Sequence, residues 1–142
     1  MSNKIFLSSD HGGFDLKELV KLFLFKNNFQ VEDLGCFSLD AVDYPDYAKL
    51  LSKELKKNKD AKGILFCGTG IGISMAANRF KHIRAALCTS VEMASKSRKH
   101  NNANVLALGG RILDKELAFS IVDEFINTDF EHGRHTLRVN KI

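Results

Sequence analysis

Cysteine is scarce, proline scarcer, and long apolar runs are missing altogether. Cys36, Cys67 and Cys88 are an odd number with no close pair, which excludes a disulfide framework and a zinc ribbon. At least one thiol is therefore expected to be free, in a reducing compartment. No apolar run approaches the ~20 residues that span a bilayer, so no membrane partner is expected. Met1-Ser2-Asn3-Lys4 leads straight into a strand-like run, without the three-part layout of a signal peptide, and a cytoplasmic location follows. No repeat, low-complexity tract or linker interrupts the chain, and the one proline, Pro45, lies in a polar bend. Residues 1–142 are read as a single domain, long enough to bury about two-thirds of its unfolded surface.

The net charge of +4 raises the question of nucleic acid. Lys53, Lys56, Lys57 and Lys59 fall in and just after one helical stretch, however, where a solvated face explains them. No nucleic-acid partner is expected.

Strands and helices alternate along the sequence. Lys4–Ser9, Gly63–Cys67, Arg84–Cys88 and Val105–Leu108 are short, near-continuous apolar runs, which suit strands covered on both faces. Gln30–Asp33 reads as a weaker strand nearer an edge. Leu16, Leu19, Val20 and Phe23 give one helix an apolar face, and Tyr47, Leu50, Leu51 and Leu55 do the same for a second. Leu117, Ile121 and Phe125, beside Ala118, Val122 and Ile126, stripe the last. The expected fold is α/β, a three-layer αβα sandwich with a Rossmann-like, doubly wound, five-stranded parallel sheet. Such sheets bind ligands beyond the carboxyl ends of their strands. That rule directs attention to Ser9–Phe14, Cys67–Ser74, Cys88–Glu92 and Gly109–Asp114.

Cys67-Gly-Thr-Gly-Ile-Gly72 follows a buried strand and opens a helical stretch, Ile73–Asn78. A dinucleotide fingerprint needs glycine where Ile73 stands, and a Walker A loop needs a Gly-Lys-Ser/Thr ending that is missing. What remains is an anion-holding loop that begins with a thiol. A helix N-terminus favours a thiolate, the Thr69 hydroxyl is placed to donate to the sulfur, and adjacent amides suit a developing oxyanion. A packing role competes for any cysteine. It is assigned to Cys36 and Cys88, while the loop context makes Cys67 the candidate general base.

Asp10-His11-Gly12-Gly13 ends the first strand; His11 is a candidate for phosphate or a sugar hydroxyl, and Asp10 for that role or for capping the next helix. His100 closes a helical stretch, where it either complements the helix dipole or donates a proton. His82 and His132 are read as surface residues. A metal site from His132, His135 and Cys67 has no suitable spacing, and neither a metal nor another cofactor is expected. Arg111 follows the fifth strand. Arg134 and Arg138 share one face if the tail is helical, and their planar forks match phosphate.

Together these segments resemble the ribose-5-phosphate isomerase B family. The matching pieces are Ser9–Gly13, Asp43–Asp46, Cys67–Ser74, Asn78, Arg84–Ala86, Ser97–Asn102, Asn104–Arg111 and Gly133–His135 with Arg138, in order along almost the whole chain. The galactose-6-phosphate isomerase subunits share part of this pattern. The resemblance implies interconversion of ribose 5-phosphate and ribulose 5-phosphate through a cis-enediolate, in the non-oxidative pentose phosphate pathway. It makes Cys67 the proton acceptor and His100 the acid that opens the ring. Asp10, His11, Gly68, Thr69, Gly70, Ile71, Gly72 and Asn101 would contact the sugar or enediolate, with Tyr44 close by. His11, Arg111, Arg134 and Arg138 would hold the phosphate. The resemblance also implies a homodimer, with His100, Asn101 and Arg111 reaching across. A hexose 6-phosphate substrate, or a non-catalytic sugar-phosphate-binding module, is the alternative.

Overall fold

In β1 (Lys4–Ser9), β3 (Lys62–Cys67) and β5 (Val105–Gly109), consecutive residues are buried, although consecutive strand side chains point to opposite faces. Both faces of the sheet must therefore be covered. The computed structural model, which describes residues 4–142, shows how. The reading of Met1–Asn3 as a start without a leader lies outside the described residues.

All strand pairs are parallel, in the order β2-β1-β3-β5-β4, with β2 spanning Gln30–Asp33 and β4 spanning Ala85–Leu87. One face is covered by α1 (Phe14–Lys26), α4 (Val91–Lys99) and α5 (Lys115–Asn127) around Val20, Leu24, Ile64, Phe66, Ile121 and Phe125. The other is covered by α2 (Tyr44–Lys57) and α3 (Ile71–Ala77) around Phe6, Leu51, Leu65, Ile73 and Ala107. A short helix, α6 (Arg134–Val139), closes the chain. No helix among the described residues is long and apolar enough to cross a membrane.

Several expectations shift: Pro45 sits in the first turn of α2 rather than in a bend, and Leu50 is exposed on that helix instead of facing the core. Arg84–Cys88 is not a strand covered on both faces; only Ala85–Leu87 pairs, half-buried at the sheet edge. There the Asn78 amide stands in for a missing neighbour, donating to Ala85 O at 2.9 Å and accepting Ala85 N–H at 2.8 Å. The helix after the cysteine begins at Ile71, not Ile73, because Gly70 takes a left-handed φ of 80° as its N-cap. On α1 the buried stripe is Leu16, Lys17, Val20 and Leu24, while Leu19 is exposed. A lysine tolerates that position because two carboxylates meet it: Nζ lies 2.6 Å from Asp33 and 2.9 Å from Glu18.

Burial alone would raise the Asp33 carboxyl. Hydrogen bonds from Lys17 and Lys21 and the amide of Gly35 outweigh it and hold the group below its ordinary value of 3.8. The folded state thus binds the Asp33 proton more weakly than the unfolded chain does. Its contribution is complete above that ordinary value and fades as pH falls through the depressed one. Asp33→Asn is expected to destabilise the chain at neutral pH, by less than the ~3–5 kcal/mol of a wholly uncompensated buried charge because Glu18 remains. Urea melts at pH 7 and pH 3 check this: the gap between variant and wild type should shrink in acid.

Candidate active site

The chain leaves β1 to form β2 on one side and crosses to form β3 on the other, so β1 and β3 flank the topological switch point. Asp10, His11 and Cys67 stand at that point. The loops after β1, β3 and β5 meet there backbone against backbone. Gly110 N–H donates to Cys67 O at 2.8 Å and Arg111 N–H to Gly68 O at 2.9 Å. A Cβ on Gly110 would come within 2.7 Å of Gly12 O, so only glycine permits this approach.

Cys67 is 5% exposed and seals the end of the α2–α3 core. Its sulfur accepts the Gly70 N–H at 3.1 Å, an interaction that supports negative charge on Sγ. The Thr69 hydroxyl is not the donor expected: Oγ1 accepts the Ile71 N–H at 3.1 Å, which holds the turn. The tight turn at Gly70 brings its own N–H to the sulfur first. Cys36 and Cys88 are buried in packing positions, and burial pushes the Cys88 thiol up to about 11, partly offset by Ser97.

Around the sulfur, Asp10 is 7% exposed and its Oδ1 accepts the Gly13 N–H at 3.1 Å. It ties the turn before α1 but does not cap the helix, whose N-cap is Gly13 without any side-chain cap. No buried side-chain N or O lacks a partner among the described residues, so the unbonded Oδ2 of Asp10 faces solvent. His11 Nδ1 accepts the Val42 N–H at 3.2 Å, which puts the proton of the neutral ring on Nε2 as a free donor. Tyr44, at the start of α2, covers Gly72; a Cβ there would lie 2.7 Å from the phenol ring. The Arg111 side chain stands over Gly68 of its own chain, with Nη1 3.4 Å from a Cβ built there. It needs no second copy to reach the cysteine loop.

A second group forms elsewhere. α4 starts beyond the carboxyl end of β4 and runs back along the sheet, so His100, its C-cap, lies at the amino-terminal edge. The adjoining loop confirms this, with Gly63 N–H donating to Asn104 O at 3.0 Å where β3 begins. The length of β3 alone puts roughly 16 Å between the two edges. His100, Asn101, His135 and Arg138 line a pocket of about 350 Å³ with Val139 and Ile142. The tail is helical, so Arg134 and Arg138 lie one turn apart. The residues assigned to phosphate are thus divided within one chain: His11 and Arg111 at the thiol, Arg134 and Arg138 at His100.

Sequence and fold both match known proteins. The family described as Ribose/Galactose Isomerase matches residues 5–142. The chain belongs to this family. It is 48% identical to a probable ribose-5-phosphate isomerase B of Mycoplasma pneumoniae, over 100% of this chain and 94% of that one. The crystal structure of a ribose 5-phosphate isomerase from Thermotoga maritima superposes with a TM-score of 0.95 at 52% identity, covering 97% of this chain and 95% of that one. Ribose-5-phosphate isomerase B from Mycoplasma genitalium, solved with bound ribulose-5-phosphate, gives 0.93 at 46% identity, covering 97% and 92%.

Some residues that shape the site of this isomerase-family chain carry no signal in the sequence. Arg98 looks like one more cation in a basic stretch, yet it is buried. It donates to Thr128 O at 2.9 Å and Asn102 Oδ1 at 3.2 Å, pinning the loop that presents His100 and Asn101. Glu131 reaches both His135 (3.5 Å) and His100 (3.9 Å), whose rings stack 4.3 Å apart. Burial, then the neighbouring His100 and Arg134, lowers the His135 pKa against the opposing pull of Glu131. His82 is half-buried rather than a surface residue, with Nε2 2.7 Å from Ser52 O, because the turn after α3 folds onto α2. His132 is exposed, at a φ of 64°.

Proposed function

We propose that this chain, a single domain acting in the cytoplasm, interconverts ribose 5-phosphate and ribulose 5-phosphate by proton transfer between C1 and C2. The observation that carries the reading is a cysteine at the sheet's switch point whose sulfur already accepts an amide N–H. The names of the relatives support a pentose phosphate. The working unit is a homodimer in which His100, Asn101, Arg134 and Arg138 of one copy face the Cys67 loop of the other. One chain's helix direction keeps the two halves apart, and an antiparallel partner is the simplest way to unite them.

In the reaction, His100 assists opening of the furanose ring, and the Cys67 thiolate removes the C2 proton. The amides of Gly68 to Gly72 stabilise the cis-enediolate, with the Thr69 turn holding their orientation. Cys67 then returns the proton to C1. Asp10 Oδ2, His11 Nε2 and Tyr44 position hydroxyls, and the arginines anchor the phosphate, converting remote binding into alignment of the reacting carbons. No cofactor takes part.

A coupled assay with ribose 5-phosphate, run with and without a thiol-alkylating agent, tests the reading. Turnover should be lost on alkylation and protected by substrate. Turnover of galactose 6-phosphate alone would overturn the pentose assignment. Arg138→Ala is expected to raise KM roughly 10–100-fold, the worth of a charge-assisted hydrogen bond to phosphate, with a smaller change in kcat; steady-state kinetics check this. His100→Asn should damage turnover of the cyclic sugar far more than that of an open-chain substrate such as ribulose 5-phosphate in the reverse direction. Equal losses would remove it from ring opening.

A further inference from the structure

We propose that His100, Glu131 and His135 form a regulatory site for a borderline divalent transition metal, Zn²⁺ foremost, whose binding withdraws His100 from the sugar. The inhibitory effect rests on the reading of His100 as the ring-opening acid; the binding does not.

One ligand atom from each residue lies within 4.8 Å of the other two. Both imidazole Nε2 atoms address the same carboxylate oxygen, His135 at 3.5 Å and His100 at 3.9 Å. Around a tetrahedral ion with bonds of ~2.0–2.2 Å, ligand atoms stand about 3.3–3.5 Å apart. The Glu131–His135 edge already has that length, the His100–Glu131 edge at 3.9 Å is close to it, and the remaining edge, within 4.8 Å, closes with a movement of up to about 1.5 Å. The ring planes stand 14° apart, so their in-plane lone pairs run in nearly parallel planes, and the His100 ring must swing through a large angle, on the order of tens of degrees, to aim at a tetrahedral ion shared with His135. The part-exposed His100 ring has room to make that turn.

The supports are backbone hydrogen bonds. Glu131 N–H donates to Lys99 O at 3.1 Å, fastening its loop to the residue beside His100, and His100 N–H donates to Lys96 O at 2.8 Å. Glu131 and His135 sit at i and i+4. His135 is buried, whereas Glu131 is open to water, so an ion has a route in and a position left for solvent.

Two imidazoles and one carboxylate, without a thiolate, suit Zn²⁺, Co²⁺ or Ni²⁺. Mg²⁺ and Ca²⁺ prefer an all-oxygen shell and are excluded. Arg134 and Arg138 stand on the same helix and oppose a cation, so binding should be micromolar, far weaker than at a structural zinc site.

The test is calorimetric titration of ZnCl2, in phosphate-free buffer, into the full chain carrying Cys67→Ala, which removes the competing thiol. One ion per chain is expected, with E131Q and H135N, in that same Cys67→Ala chain, each weakening binding tenfold or more. Co²⁺ should give a visible absorption band that E131Q diminishes. Binding indifferent to both substitutions would overturn the site. In the chain with Cys67 intact, ZnCl2 should inhibit turnover of cyclic ribose 5-phosphate more than that of the open-chain ketose, and E131Q should need at least tenfold more ZnCl2 for the same inhibition. Equal inhibition with and without E131Q traces the effect to the thiol and overturns the regulatory role. Binding at the site with no inhibition leaves the site standing and overturns both that role and the assignment of His100.

Discussion

Cys67→Ala should reduce kcat for ribose 5-phosphate by about 10²–10⁴-fold or more, the span a positioned proton-transfer group contributes. KM should change little, because the phosphate and hydroxyl contacts come from other side chains. The fold should survive. Cys67 is the last residue of β3 and pairs through its backbone with Gly109, so the register does not depend on sulfur. Removing one buried sulfur from the end of a core costs about 1 kcal/mol by comparison with other small truncations. Paired measurements of turnover and thermal unfolding separate chemistry from stability. Near wild-type turnover in the variant would leave the proposed reaction without its base. The 5% exposure of this residue is no obstacle: the group must touch one sugar carbon, and shielding from bulk water strengthens the amide's hold on its charge.

Mixing two inactive variants should restore activity. If each site takes Cys67 from one copy and His100 from the other, Cys67→Ala and His100→Asn chains that exchange freely give half mixed dimers, each with one intact site and one doubly altered. About a quarter of wild-type turnover should return, against a background near zero for either variant alone. The experiment requires denaturation together and refolding, with the separately refolded variants, mixed afterwards, as control. Turnover after joint refolding no higher than that of either variant alone would mean that the halves of the site do not meet between copies. The physical basis is the direction of α4, which carries His100 away from the edge where the thiol lies.

The parallel sheet was legible because its inner strands must be apolar on successive residues, and few other structures ask for that. The loops after β1, β3 and β5 were legible as a set for a related reason: each begins where an apolar run gives way to glycine or to a short polar residue. Helix faces were less clear. Periodicity put Leu19 on the buried side of α1, and only the carboxylates of Glu18 and Asp33, the latter from a distant strand, explain why Lys17 is inside instead. In the group around His100, Arg98 and Glu131 act through loop carbonyls and through histidines brought near by tertiary folding. Neither has a spacing rule that a linear reading can apply. The sulfur's donor was missed for a local reason, since the left-handed turn at Gly70 decides which group faces Sγ, and that conformation is settled by packing.

The glycine junction at Gly12, Gly68 and Gly110 has a bearing on how such a catalyst diversifies. Main chain touches main chain there, so no side chain can be exchanged to retune the thiol's seat without prising the three loops apart. Changes in sugar preference must come instead from the rim, where Arg111 leans over Gly68 and Tyr44 over Gly72, and both can be swapped while the inner platform stays as it is.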